Sequence, residues 1–284
     1  MYAILGVTGK VGGVVAQTLL DAGQKVRAVL RDRAKAADWS SRGCAIAYAD
    51  IADAAALTTA LTGAEAVFIL IPPNFDPQPG FPEIKVIIAA LTKAITAARP
   101  QRIVCLSTIG AQASQPNLLG QLGEVERALG ALDMPVCFLR AAWFMENALW
   151  DVPAAREGVI GSFLQPLDQA VPMVATADVG RIAAQLLQET WTGPRIVELE
   201  GPARTSPNDI AAAFANALGR PVRAEPIARD QWETLFTAQG MHNPVPRAQM
   251  LDGFNEGWIA FEDHDNVVRG QTDINMVIRG LCDA

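Results

Sequence analysis

The chain begins with an apolar strand that runs directly into a glycine loop. Tyr2-Ala3-Ile4-Leu5 is followed by Gly6-Val7-Thr8-Gly9-Lys10-Val11-Gly12, and then by an apolar helical pattern over 11–22. No other feature narrows the fold as much. The strand delivers the backbone to a tight turn, and the helix then presents its N-terminus. Unsatisfied N–H groups and the positive end of the helix dipole favour an anion there. The glycines are spaced G-x-x-G-x-x-G rather than G-x-G-x-x-G, a spacing that a plain tight turn also produces. The strand before it and the helix after it favour a pyrophosphate site. Gly6, Thr8, Gly9, Lys10, Val11 and Gly12 are therefore expected to contact a dinucleotide.

Downstream, short apolar runs alternate with helical patterns. Strands are expected at 25–30, 45–49, 66–71, 102–106 and 135–139, with helices at 34–39, 54–61, 83–98 and 118–132. The strands are apolar throughout, as when both faces are covered, and repeated βαβ units give a parallel, doubly wound sheet. The pattern changes after Leu149. Asp178 is expected to cap a helix over 179–187, and 196–199 reads as a strand. Ser206 and Pro207 open a helix that ends at Gly219, a short strand covers 222–226, and the last helix covers 272–281. The expected fold class is α/β: a doubly wound parallel Rossmann sheet with a smaller, mostly helical C-terminal substrate domain. Residues 1–150 with about 176–200 would form the first domain. Residues 151–175 and 201–284 would form the second, which lacks a phosphate loop of its own and is expected to shape a substrate pocket.

Composition excludes several alternatives. With 284 residues, half of them hydrophobic and 19% charged, a sizeable core is attainable. The net charge of −7 disfavours direct contact with nucleic acid or an anionic membrane. No run of 18 apolar residues suggests a membrane span, and with a strand expected from residue 2 no signal peptide is expected. Cys44, Cys105, Cys137 and Cys282 are scattered, so reduced, structural thiols in a cytoplasmic protein are expected. His242 and His264 lack metal-ligand spacing.

The end of the second strand points to the cofactor. An acidic residue there would accept hydrogen bonds from a ribose 2′-OH, whereas arginine meets a 2′-phosphate. The residue is Arg31, about 20 positions beyond the loop, and Arg33 follows. Guanidinium suits phosphate, so NADP(H) is expected over NAD(H), with Lys10 adding charge. Both arginines could instead be solvated strand-end charges, and Asp32 could fold back onto them. Asp50 and Ile51 follow the third strand. Asp50 is placed to bond the adenine amino group or to cap the next helix, a role Asp53 suits better. Ile71-Pro72-Pro73 stops the fourth strand, because proline cannot donate to a ladder, and would border the cofactor.

With these residues in view, the chain resembles the NmrA-like branch of the atypical short-chain dehydrogenases/reductases over nearly its whole length. The likeness rests on Gly6 to Gly12, Val29-Leu30-Arg31-Asp32, Leu106-Ser107-Thr108-Ile109-Gly110 and Phe138-Leu139-Arg140-Ala141-Ala142-Trp143-Phe144-Met145-Glu146-Asn147. The last run is similar to the family's Leu-Arg-Pro-x-x-Phe-x-Glu-Asn stretch, with Ala141 in place of proline. Glu200-Gly201-Pro202 and Gly219-Arg220-Pro221-Val222 match its second-domain entry. The resemblance implies that Ser107, Ala142 and Phe144 lie at the cofactor, and that the activity is that of a quinone or azo reductase, an isoflavone-reductase-like enzyme or an NADP(H)-binding redox sensor.

One departure bears on the chemistry. The wider superfamily donates a proton from the tyrosine of Tyr-x-x-x-Lys. Here Tyr2 and Tyr48 are the only tyrosines, neither has a lysine four residues on, and 118–132 has neither residue type. Reducing a quinone leaves a phenolate whose conjugate acid has a pKa of about 10, which water can protonate, whereas an alkoxide needs a positioned acid. Quinones, azo compounds or enones are thus expected as substrates. Asn74, Phe75, Thr108, Trp143 and Asn147 are candidates for a substrate pocket, with Trp150 beside them, though core packing explains the aromatics equally well. Ser107 and Thr108 could bond substrate or nicotinamide, or merely cap a loop. Glu146 and Asn147 read more readily as structural, and Arg140 is expected to pair with a carboxylate. No catalytic residue is assigned. The expected partner is a small-molecule substrate or, for a sensor, a regulated protein, with a monomer or homodimer as the assembly.

Overall fold

A computed structural model describes residues 1–263 and 265–283; His264 lies outside the described residues. The chain runs β1 (Tyr2–Leu5), α1 (Lys10–Asp21), β2 (Val26–Leu30), α2 (Ala36–Ser41), β3 (Ala45–Tyr48), α3 (Ala54–Leu61), β4 (Ala66–Ile69), α4 (Pro82–Ala98), β5 (Arg102–Thr108), α5 (Gly120–Gly130) and β6 (Val136–Ala141). It continues through β7 (Trp143–Phe144), α6 (Val152–Arg156), β8 (Val159–Ser162), β9 (Met173–Val174), α7 (Thr176–Leu186), β10 (Pro194–Glu200) and α8 (Pro207–Leu218). β11 (Arg223–Pro226), α9 (Trp232–Ala238), α10 (Val245–Glu256), β12 (Val268–Arg269) and α11 (Ile274–Cys282) complete it.

The main sheet has the order β12-β10-β6-β5-β4-β1-β2-β3. The pairings of β2 with β1 and β3, of β4 with β1 and β5, and of β10 with β12 are parallel. This is the expected α/β, doubly wound Rossmann arrangement. The chain builds outward from β1 to β3, then crosses to β4 on β1's other side. That reversal between β1 and β4 opens a crevice at the C-terminal strand ends, where such sheets bind ligands.

Two compact units share the chain. The first comprises Met1–Ser107, Gln121–Arg140 and Val179–Val197; the second comprises Thr108–Gly120, Ala141–Asp178 and the chain from Glu198 on. In the first, Ala3, Leu5, Val67, Ile69, Ile103 and Cys105 face Leu57 and Leu61 of α3, Leu91 and Ile95 of α4, and Val125 and Leu129 of α5. The alternate residues Ile4, Ala28 and Phe68 are buried on the opposite face, as the period of two requires. α1 packs there on β1 and β2.

Residues 108–120 and 141–150, grouped with the nucleotide-binding part on sequence grounds, cluster with the second unit. Their hydrogen bonds show why: Gln112 Nε2 donates to Ala260 O (2.8 Å), Leu118 N–H to Pro246 O (2.9 Å) and Ala142 N–H to Leu199 O (2.9 Å). Small parallel pairs β7·β9 and β8·β11 belong to this unit as well.

Asp178 does not cap a helix at 179. α7 already begins at Thr176, and the buried Asp178 carboxylate accepts instead from Gln271 N–H (3.0 Å) and Thr272 N–H (2.8 Å). β4 stops at Ile69, short of the expected Ile71, and Pro72 and Pro73 are exposed in the loop that follows. α8 begins with the expected Ser206, which forms a reciprocal capping box with Asp209 and ends at left-handed Gly219.

Candidate functional site

The loop between β1 and α1 is closed on itself by glycine. Gly6 has φ +69°, and its carbonyl accepts from Gly9 N–H at 3.0 Å. A Cβ on Gly12 would stand 2.3 Å from Gly6 O. Only glycine at position 12 therefore lets α1 start so close to the end of β1. Gly9 is the N-cap residue, makes no side-chain cap bond, and no acidic residue occupies the first turn. That helix end is left positive and open to an anion. Thr8, Gly9 and Lys10 are exposed. Val11 buries its side chain at 3% exposure, so what it offers a ligand is its N–H.

Parallel register extends this site along neighbouring strand ends, with Leu5 beside Val29 and Leu30 beside Tyr48. Arg31 is exposed and makes no ion pair among the described residues. Asp32 does not fold onto the arginines; its Oδ1 accepts from Ala34 N–H (2.9 Å), which caps a short 3-10 turn at Arg33–Lys35. Arg33 lies over the Tyr48 ring, 4.3 Å from its centroid. Asp53 takes the N-cap of α3, accepting from Ala55 and Ala56. Asp50 is exposed, with Oδ1 accepting from Ala52 N–H (2.9 Å). Ile51 and Ile71 are half-buried against the apolar core. Asn74 Oδ1 accepts from Asp76 N–H, its carbonyl accepts from Gln121 Nε2, and Phe75 is exposed.

Ser107, at the end of β5, is buried and donates its hydroxyl to Glu126 Oε1 at 2.5 Å. Arg140 grips the same carboxylate with two bonds, Nε to Oε1 (2.9 Å) and an Nη to Oε2 (2.7 Å). The side chains of Arg140 and Glu126 are 4% and 11% exposed. Arg140 thus has the carboxylate partner expected of it. The sequence did not single out Glu126, because a lone glutamate on a helix reads as a solvated charge; here it joins Ser107 and Arg140. Thr108 donates to Ile109 O (3.2 Å). Burial pushes the Cys105 thiol far up and the Cys137 thiol up to about 12; both are unreactive.

The remaining predicted residues lie in the second unit. Ala142 is buried. Trp143 is half-buried and meets Phe254 edge-on, with ring centroids 5.2 Å apart. Phe144 pairs with Val174, and Asn147 is half-buried. Glu146 accepts from both the N–H and the hydroxyl of Thr176, so its role is structural. Trp150 is 64% exposed, and burial raises the carboxyl of the next residue, Asp151, to about 6. A cavity of about 330 Å³ lined by Met145, Arg204, Thr205, Asn216 and Asn275 involves none of the predicted residues.

A doubly wound sheet with a glycine cradle at its switch point defines a nucleotide-binding α/β protein of the Rossmann class. Within that class the chain belongs to the NmrA-like family, whose model matches residues 2–263. It is 31% identical over 258 residues to an NAD(P)H azoreductase of Xenophilus azovorans, covering 90% of this chain and 85% of that protein. It is 27% identical over 254 residues to quinone oxidoreductase 2 of Escherichia coli, covering 88% and 85%. The crystal structure of an E. coli NADPH-dependent quinone oxidoreductase bound to NADPH superposes with a TM-score of 0.82 at 23% identity, over 99% of each chain.

Proposed function

We propose that the chain is an NAD(P)H-dependent reductase that prefers NADP(H) and acts on a quinone-like or otherwise conjugated acceptor. The observation that carries the reading is the cradle between β1 and α1, where a Cβ at Gly12 would strike Gly6 O at 2.3 Å and the first helical turn holds no acid. The N–H groups of that turn suit a pyrophosphate, Arg31 and Lys10 suit a 2′-phosphate, and Asp50 has a carboxylate oxygen for an adenine amino group. A bound nicotinamide supplies hydride. The azoreductase and quinone reductase relatives support the same reaction class.

The chain's own groups bear on the proton. Ser107 gives its hydroxyl hydrogen to Glu126, and Thr108 gives its own to a carbonyl. Tyr2 is buried in β1, and Tyr48 lies under Arg33. None of these groups is poised to protonate an alkoxide. An acceptor whose reduced anion water can protonate fits such a site, and an aliphatic ketone does not.

The test follows absorbance at the nicotinamide band while purified protein and NADPH meet a panel of quinones, azo dyes, enones and aliphatic ketones. Oxidation is expected with at least one conjugated class and not with the ketones. Gly12→Ala should abolish nucleotide binding and lower the melting temperature, because its Cβ would strike Gly6 O, whereas Arg31→Ala should weaken NADPH far more than NADH with the melting temperature near that of the parent. Tight NADPH binding without turnover across the panel would reject the reductase reading. It would leave a redox sensor that acts through a protein partner.

A further inference from the structure

Three observations meet at the ends of β2 and β3. Arg31 is exposed, Asp32 accepts from Ala34 N–H, and Arg33 rests on Tyr48 at 4.3 Å from the ring centroid. Tyr48 stands directly beside Leu30 in the parallel register, one residue before Arg31. It is 37% exposed, so its ring is not there to fill the core. A freely rotating arginine would sample many rotamers at such a strand end and would have to be ordered by any ligand. A guanidinium held over an aromatic face is attracted by the ring quadrupole and samples fewer rotamers.

We propose that Tyr48 is a positioning residue for cofactor choice. Its ring holds Arg33 as the second arm, beside Arg31, of a clamp for the 2′-phosphate of an adenosine dinucleotide. The inference rests on the NADP(H) reading and specifies how the preference is made. The Asp32 carboxylate is tied to the 3-10 cap, and the two arginines outnumber it at a dianionic group. The aromatic ring contributes through Arg33 and touches no phosphate itself, so its loss should register only when the phosphate is present.

The experiment measures binding of two fragments by calorimetry: 2′,5′-ADP, which carries the 2′-phosphate, and 5′-ADP, which lacks it. The full-length protein is compared with Tyr48→Leu, Tyr48→Phe, Arg33→Ala and Tyr48→Leu combined with Arg33→Ala. Tyr48→Leu should weaken 2′,5′-ADP by about two- to fivefold, the size of an exposed cation–π contact, and leave 5′-ADP unchanged. Tyr48→Phe should restore parental binding. Arg33→Ala should weaken 2′,5′-ADP further, and adding Tyr48→Leu to it should cost nothing more. Equal weakening of both fragments by Tyr48→Leu, or no weakening of either, overturns the role given to Tyr48 and leaves the cofactor preference standing. A parent protein that binds the two fragments equally overturns the preference itself, and the clamp with it.

Discussion

In the first unit hydrocarbon does the holding: Leu57, Leu61, Leu91, Ile95, Val125 and Leu129 cover one face of the sheet with hardly a polar atom among them. The second unit is tied by buried and half-buried carboxylates. Glu146 accepts from Thr176, Asp178 from Gln271 and Thr272, Glu198 from Glu262 and Asp263, and Glu200 meets Arg204 and Arg269 at 3.4 and 3.0 Å. Element type explains the difference. Helices and central strands satisfy their own backbone, so what they bury is apolar. Irregular segments carry N–H groups without ladder partners, and a carboxylate can accept several of them at once. The first unit buries charge as well: Arg102 pairs with Glu65 at 2.8 Å, and Ser107, Glu126 and Arg140 form a charged cluster. That cluster sits at a strand end of the candidate site, where polar burial serves orientation better than packing.

The contrast can be broken from either side. Glu126→Ala should have the largest effect, because it removes the carboxylate that the buried Arg140 guanidinium grips with two bonds. A loss of about 3–5 kcal/mol in urea unfolding is expected, and Glu126→Gln should recover part of it. Asp178→Ala should come next, at about 2–4 kcal/mol, since two N–H groups lose their acceptor. Hydrogen exchange should place that loss in 268–282 and leave β1 to β5 protected. A uniform loss of protection over the whole chain would contradict the division into differently tied units.

The smallest effect has the opposite sign. Asp151 is a carboxyl that burial raises from its ordinary 3.8 to about 6. A group whose folded pKa is raised favours the folded state when protonated. Its contribution is fully present below pH 4 and is lost as pH rises through about 6. Asp151→Asn should therefore stabilise the protein at pH 7 by up to about 2 kcal/mol and change little at pH 4. A stabilisation independent of pH would show that packing, not charge burial, sets this site.

Much of the first unit could be read directly. β1 to β6 are apolar runs of four to seven residues, and their helices end at glycine or proline, so period and punctuation place them within a residue or two. The glycine loop was legible for the same reason: its turn and the helix after it are local. The second unit resisted. β7, β9 and β12 have two residues each, too few for any period. Asp178 looked like an N-cap because aspartate before a helical run usually is one; its real partners lie more than ninety positions away. Even Gly270 makes sense only afterwards, since a Cβ there would lie 2.6 Å from Asp178 Oδ2.

The sequence by itself determined the Rossmann sheet, the glycine cradle and the lack of a Tyr-x-x-x-Lys pair, because each depends on neighbours along the chain. Tertiary structure alone decided that Ser107 donates a hydrogen bond to Glu126, that Arg33 rests on Tyr48, and that Asp178 ties a distant loop. Those contacts join residues from separate elements, and hydrogen bonding and cation–π attraction act over a few ångströms of space, whatever the distance along the chain.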